Sequence, residues 1–276
     1  MSIKVVAEIG CNHQGDVEIA KQLIDKAALA GVWAVKSQKR TISEYLTPEQ
    51  YNRPYIGPNS FGKTYGEHRE VLELPQIQHA ELLEYAHKHN LEYFVSVWDL
   101  TALKQMIEIG VKYIKIPSAL LTYDELLIEA SKSELPIFLS TGMSTSKEID
   151  HAVELLKDTD LTLFHTTSCY PCKFEDVYLY NIVELQTKYD KPVGFSGHHL
   201  GIAIDIAAAA LGAKIIERHF TLDRTMKGTD HAASLEPNGL YKLVRDLKAL
   251  EQSLRFYDRE SIIECEKISR EKLRTK

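Results

Sequence analysis

Eight times along this chain, a short run of β-branched and aromatic residues gives way to a stretch with apolar residues at helical spacing. Strands are predicted at Ile3–Ile9, Ala34–Ser37, Tyr93–Val97, Tyr113–Ile116, Ile137–Ser140, Leu161–His165, Val193–Phe195 and Lys214–Glu217. Helices are predicted near Val17–Ala30, Gln76–His89, Leu100–Ile109, Tyr123–Ser131, Ser146–Lys157, Val177–Thr187, Leu200–Leu211 and Asn238–Leu254. Thr145-Ser146-Lys147-Glu148 has capping-box spacing at the start of one of them. A strand, a helix and a second strand joined by short connections make parallel neighbours. Eight such pairs in about 255 residues predict the α/β class and a single closed (β/α)8 barrel, spanning residues 1–256. An open doubly wound sheet needs fewer units and usually a glycine-rich first turn. The first turn here, Glu8-Ile9-Gly10-Cys11-Asn12-His13-Gln14-Gly15, spaces its glycines differently. Lys39–Pro75 reads as one long irregular loop, a length that is usually functional. Residues 257–276 read as a charged tail, basic at its end.

Composition narrows the function classes. At 44% apolar and 26% charged, the chain can bury a substantial core. A formal net charge of -6 gives no reason to expect nucleic acid or an anionic membrane as partner. No apolar run reaches the ~18 residues a membrane span needs. The start, Met1-Ser2-Ile3-Lys4-Val5-Val6, enters a strand pattern without signal-peptide architecture. A cytoplasmic location with reduced thiols at Cys11, Cys169, Cys172 and Cys265 is therefore expected.

In a barrel, chemistry gathers at the C-terminal ends of the strands. Those ends carry Glu8, Asn12 and His13; Lys36 and Gln38; Lys115 and Ser118; Ser140 and Thr141; Thr167, Ser168 and Tyr170; Ser196 and His198; His219 and Asp230. Buried unpaired ammonium is costly, so Lys36 and Lys115 need negative partners. Two lysines and several hydroxyls aimed into one mouth suit a small anionic substrate such as a phosphate ester or carboxylate. His198 and His219 end consecutive strands, so their imidazoles can converge on one divalent ion. Structural zinc needs four ligands, usually thiolates. An incomplete pair suits an ion that also binds substrate.

Other motifs read more plainly. Gly57-Pro58-Asn59-Ser60-Phe61-Gly62-Lys63-Thr64 matches the Walker A expression, but no core strand precedes it, so nucleotide binding is not expected. Cys169-Tyr170-Pro171-Cys172 lacks the helix N-terminus of a redox motif and is expected to be inert. His79, His87, His89 and His151 fall within amphipathic helices and are expected to be solvated, while His68 and His165 could be either.

The chain resembles the sialic acid synthases, the N-acylneuraminate synthase family. The resemblance rests on Ala7–Asp16, Lys115-Ile116-Pro117-Ser118, Leu139-Ser140-Thr141-Gly142-Met143, Tyr170-Pro171 with Phe174–Val177, Gly194-Phe195-Ser196-Gly197-His198, Glu217–Asp223 and Asp230–Pro237. The loop with Arg53-Pro54-Tyr55 and Gly62–His68, together with Lys227-Gly228-Thr229-Asp230, is most similar to the animal-type branch. That branch acts on a 6-phosphorylated sugar; the bacterial branch takes the free sugar. The resemblance implies a barrel that condenses phosphoenolpyruvate with an N-acylmannosamine or mannose-type aldehyde. It implies Mn2+ or Mg2+ on His198 and His219. Lys36, Lys115, Ser118, Ser140, Ser168 and Ser196 would cradle phosphoenolpyruvate, and Gln38, Tyr170 and Asp230 would face the sugar. Lys63 and Arg69 would meet a sugar phosphate. Glu8 would sit near the reacting carbons, and either it or Asp230 would guide water. A homo-oligomer is expected. The small antifreeze-like domain that usually ends the family is expected to be absent, and Leu120 replaces a sugar-contacting carboxylate. A related 3-deoxy-sugar-acid synthase using a shorter aldose, and a non-catalytic sugar-binding barrel, are the alternatives.

Overall fold

Eight parallel strands close on themselves, each hydrogen-bonded to the next and the eighth to the first. The computed structural model describes residues 3–274. The strands are β1 (Lys4–Glu8), β2 (Ala34–Lys39), β3 (Glu92–Val97), β4 (Ile114–Ile116), β5 (Ile137–Ser140), β6 (Leu161–Thr166), β7 (Val193–Gly197) and β8 (Ile215–His219). The helices are α1 (Val17–Ala30), α2 (Ile42–Tyr45), α3 (Pro48–Asn52), α4 (Tyr65–Leu72), α5 (Gln76–Lys88), α6 (Leu100–Glu108), α7 (Asp124–Ser131), α8 (Ser146–Leu155), α9 (Asn181–Tyr189), α10 (Ala203–Ala210), α11 (Pro237–Ser253) and α12 (Lys267–Leu273). This is the (β/α)8 barrel that the sequence predicts. Closure pairs Lys4 with Ile215 and Glu8 with His219, so the two ends of the barrel sequence meet.

Two apolar layers support the barrel. The outer one joins the helices to the outward faces of the strands, with Leu23, Ile24, Leu82, Leu103, Leu126, Leu240 and Leu243 buried against Val35, Val95 and Leu163. The inner one fills the bottom of the barrel with Val6, Ala34, Phe94, Phe138, Phe164 and Ile215. Phe138 lies 5.4 Å from Phe94 and 5.6 Å from Phe164 between ring centroids. Such aromatic pairs contribute about 0.5–1.5 kcal/mol each beyond their burial. Strand side chains alternate, so two residues above this aromatic floor the next inward layer is Glu8, Lys36, Ser96, Lys115, Ser140, Thr166, Ser196 and Glu217. The plug is apolar and the layer above it is charged.

Local signals explain most helix boundaries. Asp16 caps α1, accepting hydrogen bonds from the Glu18 and Ile19 amides, and Gly31 ends it at φ 78°. Thr145 and Glu148 form the expected capping box at α8. Two helices start later than predicted. Residues 174–176 make a separate short turn before α9, and Gly201 at φ 77° holds the chain out of helix before α10. Residues 39–75 depart from the predicted irregular loop, since α2, α3 and α4 occupy much of the stretch. Each of these helices is too short to carry a periodic signal, and capping boxes at Thr47 and Thr64 set the starts of α3 and α4. His79 is a second correction. It is fully buried on α5 rather than solvated, because the Tyr93 hydroxyl supplies a partner 2.8 Å from Nδ1. His87, His89 and His151 are exposed as expected, and His68 and His165 are buried. The segment after α11 is mostly exposed and includes α12.

Candidate active site

The cavity at the C-terminal mouth of the barrel draws side chains from every part of the sequence. Its lining includes Lys36, Gln38, Arg69, Lys115, Ser118, Ser140, Ser168, Tyr170, Ser196, His198, His219 and Asp230, so most of the residues singled out from sequence converge on one space. Glu8 lies just beneath, bonded to Lys36 and Gln38. Lys63 is exposed and does not line the cavity. It sits on the outside of the loop before α4, whose Thr64 pairs antiparallel with Pro54.

At the floor, four buried charges interlock. Lys36 Nζ lies 2.5 Å from Glu8 Oε2 and 3.4 Å from Glu217 Oε1, and donates to Ser96 Oγ at 2.7 Å. Lys115 Nζ lies 3.3 Å from Glu217 Oε2 and 3.3 Å from the centroid of the Phe164 ring. Ser196 Oγ donates to Glu217 Oε1. Burial disfavours the Lys36 ammonium, but Glu217 and Glu8 outweigh it and hold the group above its ordinary value. For Lys115 burial wins, and its pKa falls to about 8, because it shares Glu217 with Lys36 and is repelled by that lysine. Burial would push the Glu217 carboxyl up, yet Lys115 and Lys36 together hold it well below the usual carboxylate range. The floor therefore sets two lysines against two glutamates. Ser118, Ser140 and Ser168 ring it, with Ser118 Oγ accepting from the Gly142 amide.

Glu217 is the residue the sequence reading passed over. Its signal was available: it lies two residues before His219 on one strand, so both side chains face into the barrel. Ser96, Thr166, Arg40 and Trp98 also line the cavity unannounced.

Above the floor stand the two histidines, with ring centroids 5.4 Å apart and the Tyr170 ring tilted against His198 at 4.1 Å. His198 Nδ1 lies 2.9 Å from the Thr167 carbonyl. A carbonyl only accepts, so Nδ1 carries the hydrogen and Nε2 keeps its lone pair. Burial and the neighbouring His219 push the His198 pKa down to about 3, which keeps the ring neutral as a metal ligand must be. His219 Nδ1 is buried without a hydrogen-bond partner, 3.6 Å from Asp230 Oδ2. Two imidazoles this close, one of them held neutral, fit a divalent ion. Among the described residues no third His, Cys, Asp or Glu completes a protein cage, so such an ion would take its remaining ligands from substrate and water.

On the β2 side, Gln38 donates to Glu8 Oε1 at 2.9 Å and accepts from Arg40 at 2.5 Å. Arg40 pairs with Glu73 at 3.2 Å and stacks 3.9 Å over Trp98. Arg69 is different. It donates to Tyr65 Oη at 3.0 Å and approaches Cys11 Sγ at 3.7 Å, with no carboxylate in ion-pair range among the described residues. The Walker-like segment offers no phosphate cradle, because Glu67 accepts hydrogen bonds from the Lys63 and Thr64 amides. Cys169 is exposed and Cys172 buried, both free thiols; the Cys172 amide donates to the His198 carbonyl.

Comparison with known proteins agrees with this geometry. The chain is 38% identical over 272 residues to N-acetylneuraminate-9-phosphate synthase of Homo sapiens, covering 98% of this chain and 76% of that protein. It is 36% identical to N,N'-diacetyllegionaminic acid synthase of Campylobacter jejuni subsp. jejuni serotype O:2, covering 91% and 77%. The crystal structure of N-acetylneuraminic acid synthetase from Leptospira borgpetersenii serovar Hardjo-bovis, in complex with citrate, superposes with a TM-score of 0.84 at 33% identity, covering 100% of this chain and 94% of that one. Residues 23–258 match the NeuB family. From fold, cavity and these likenesses together, the chain belongs to the NeuB family of sialic acid synthases.

Proposed function

We propose that the protein is a synthase that joins phosphoenolpyruvate to a sugar aldehyde, giving a nonulosonic acid and inorganic phosphate. The observation that carries this reading is the interlocked floor of Lys36, Lys115, Glu8 and Glu217 beneath the paired histidines His198 and His219. An anion that enters beside the lysines competes with Glu217 for them and is met by the hydroxyls of Ser118, Ser140, Ser168 and Ser196. The phosphate and carboxylate of phosphoenolpyruvate fit that set. His198 and His219 would hold a divalent ion, Mn2+ or Mg2+, which when bound withdraws charge from the aldehyde oxygen.

Carbon 3 of phosphoenolpyruvate attacks the aldehyde carbon, forming the new carbon–carbon bond as the carbonyl π bond opens. The aldehyde oxygen becomes an alkoxide that takes up a proton to give a hydroxyl, and positive charge is left on carbon 2. Water adds to carbon 2 and gives up a proton. The carbon–oxygen bond to phosphate then breaks, leaving a ketone and free phosphate. Glu8, held by Lys36 and Gln38, and Asp230, beside His219, are the two carboxylates placed to take that proton. Holding both reactants in line supplies much of the rate. Gln38 and Tyr170 position the sugar. Arg69, a cation with no carboxylate in ion-pair range among the described residues, is the residue here that favours a phosphorylated sugar.

The test is phosphate release with phosphoenolpyruvate and a panel of aldoses. N-acetylmannosamine, mannose, their 6-phosphates and shorter aldoses are compared by specificity constant. Turnover with an N-acylmannosamine or mannose form supports the proposal. Preference for a shorter aldose makes the protein a 3-deoxy-sugar-acid synthase, and no release with any sugar makes it a binding barrel.

A further inference from the structure

Arg218 lies on β8 between Glu217 and His219, and alternation turns its side chain out of the barrel toward α10. There it is almost completely buried, together with His199 and Asp205, which show no exposure at all. Arg218 Nη1 donates to Asp205 Oδ2 at 2.5 Å and to the Gly201 carbonyl at 2.7 Å, and lies 3.2 Å from His199 Nε2. Nη2 donates to the His199 carbonyl at 2.6 Å. Gly197 leaves room for this, since a Cβ there would lie 2.8 Å from His199 Cε1.

A buried ion pair contributes little net stability, because desolvation offsets its attraction. The placement of this one has a different consequence. One guanidinium, anchored next to His219, grips two carbonyls of the loop that begins with His198. The planar fork fixes both bonds at once, which a lysine could not do. The Cys172 amide also holds the His198 carbonyl, and the Tyr170 ring lies tilted against the His198 ring. His198, just past the end of β7, and His219, at the end of β8, are thereby tied to one another from outside the barrel.

We propose that Arg218, Asp205 and His199 form a clamp that sets the spacing of His198 and His219, and so tunes affinity for a divalent ion without touching it. The proposal rests on the reading of His198 and His219 as the ligand pair. Residues that orient metal-binding imidazoles typically change affinity 10- to 100-fold when altered.

The experiment is an equilibrium titration of the chelator-treated full chain with Mn2+, followed by electron paramagnetic resonance. Phosphoenolpyruvate binding is measured by calorimetry and melting temperature is recorded alongside. Asp205→Asn keeps the shape and removes the anchor's charge. It is expected to weaken Mn2+ binding about 10- to 100-fold while leaving phosphoenolpyruvate affinity within about threefold. Should Asp205→Asn not fold, Arg218→Lys keeps the charge, loses the fork and reads the same quantity. A lower melting temperature with Mn2+ affinity unchanged in either folded variant overturns the clamp. His198→Ala is the control for the underlying reading. If it leaves Mn2+ affinity intact, the ligand pair is wrong and the clamp falls with it. If it abolishes binding while the clamp variants are silent, the clamp alone is refuted.

Discussion

Replacing Glu217 with glutamine removes one carboxylate from between two buried ammonium groups. Glu217 lies 3.4 Å from Lys36 Nζ and 3.3 Å from Lys115 Nζ. Attraction across ~3.3 Å at an effective dielectric of about 20 is on the order of 5 kcal/mol. Lys36 keeps Glu8 at 2.5 Å, whereas Lys115 has no second carboxylate in ion-pair range among the described residues. Sharing of Glu217 between the lysines makes about half of that attraction a fair loss for Lys115. That is about 2.5 kcal/mol, equivalent to about two pH units. Lys115 already stands at about 8, lowered by burial against which Glu217 works. In the native chain, kcat/KM for phosphoenolpyruvate is expected to be full below that pH and to fall above it as the ammonium loses its proton. In Glu217→Gln the fall should begin about two pH units lower, with activity recovering on the acid side. Phosphate release measured between about pH 5 and pH 10 gives both profiles. Identical basic limbs in the two proteins would refute the argument. Stability moves the opposite way. A lysine depressed from 10.5 to about 8 makes the unfolded chain the better proton acceptor in that window, so this group's contribution to stability rises with pH across it.

Other outcomes follow from the same geometry. His198→Ala or His219→Ala should abolish turnover and weaken Mn2+ binding by more than the roughly 10- to 100-fold of a lost supporting contact; turnover that survives both changes and a chelator contradicts a metal-dependent reaction. Arg69→Ala should cost the 6-phosphorylated sugar about 10- to 100-fold in kcat/KM and the free sugar little, as expected for one charge-assisted contact; equal losses on both sugars would remove Arg69 from phosphate recognition. Cys169→Ser with Cys172→Ser should keep most turnover and show no response to reductant; strong redox dependence would give the pair a chemical role.

Much of this was legible because a (β/α)8 barrel writes its architecture as local alternation. Each βα pair, such as Leu161–Thr166 followed by α9, announces itself within a short window. The barrel rule then gathers Lys36, Lys115, His198 and His219 from strand ends without any knowledge of contacts. What stayed hidden depends on partners far away in sequence. Glu217 reads locally as one charge in a strand, and only closure of β8 against β1 brings it between the two lysines. His79 reads as a polar residue on an amphipathic helix until Tyr93 is placed opposite it. Lys63 and Arg69 belong to one basic loop in sequence, yet the first points to solvent and the second into the cavity. The Thr64 cap and the chain's return along Pro54 separate them.

Closure of β8 onto β1 also has an order in time. During synthesis β1 to β7 emerge first, leaving open edges at β1 and β7 until the last strand arrives. Glu217 is the last of the four floor charges in the sequence, so a chain ending before β8 would carry Lys36 and Lys115 with Glu8 as the one acidic residue of that set. Joining ends this distant in sequence is an entropically slow step, and a growing chain spends that interval exposed. Completing the sheet and balancing its interior charge are one event, and a chain cut short before β8 has neither.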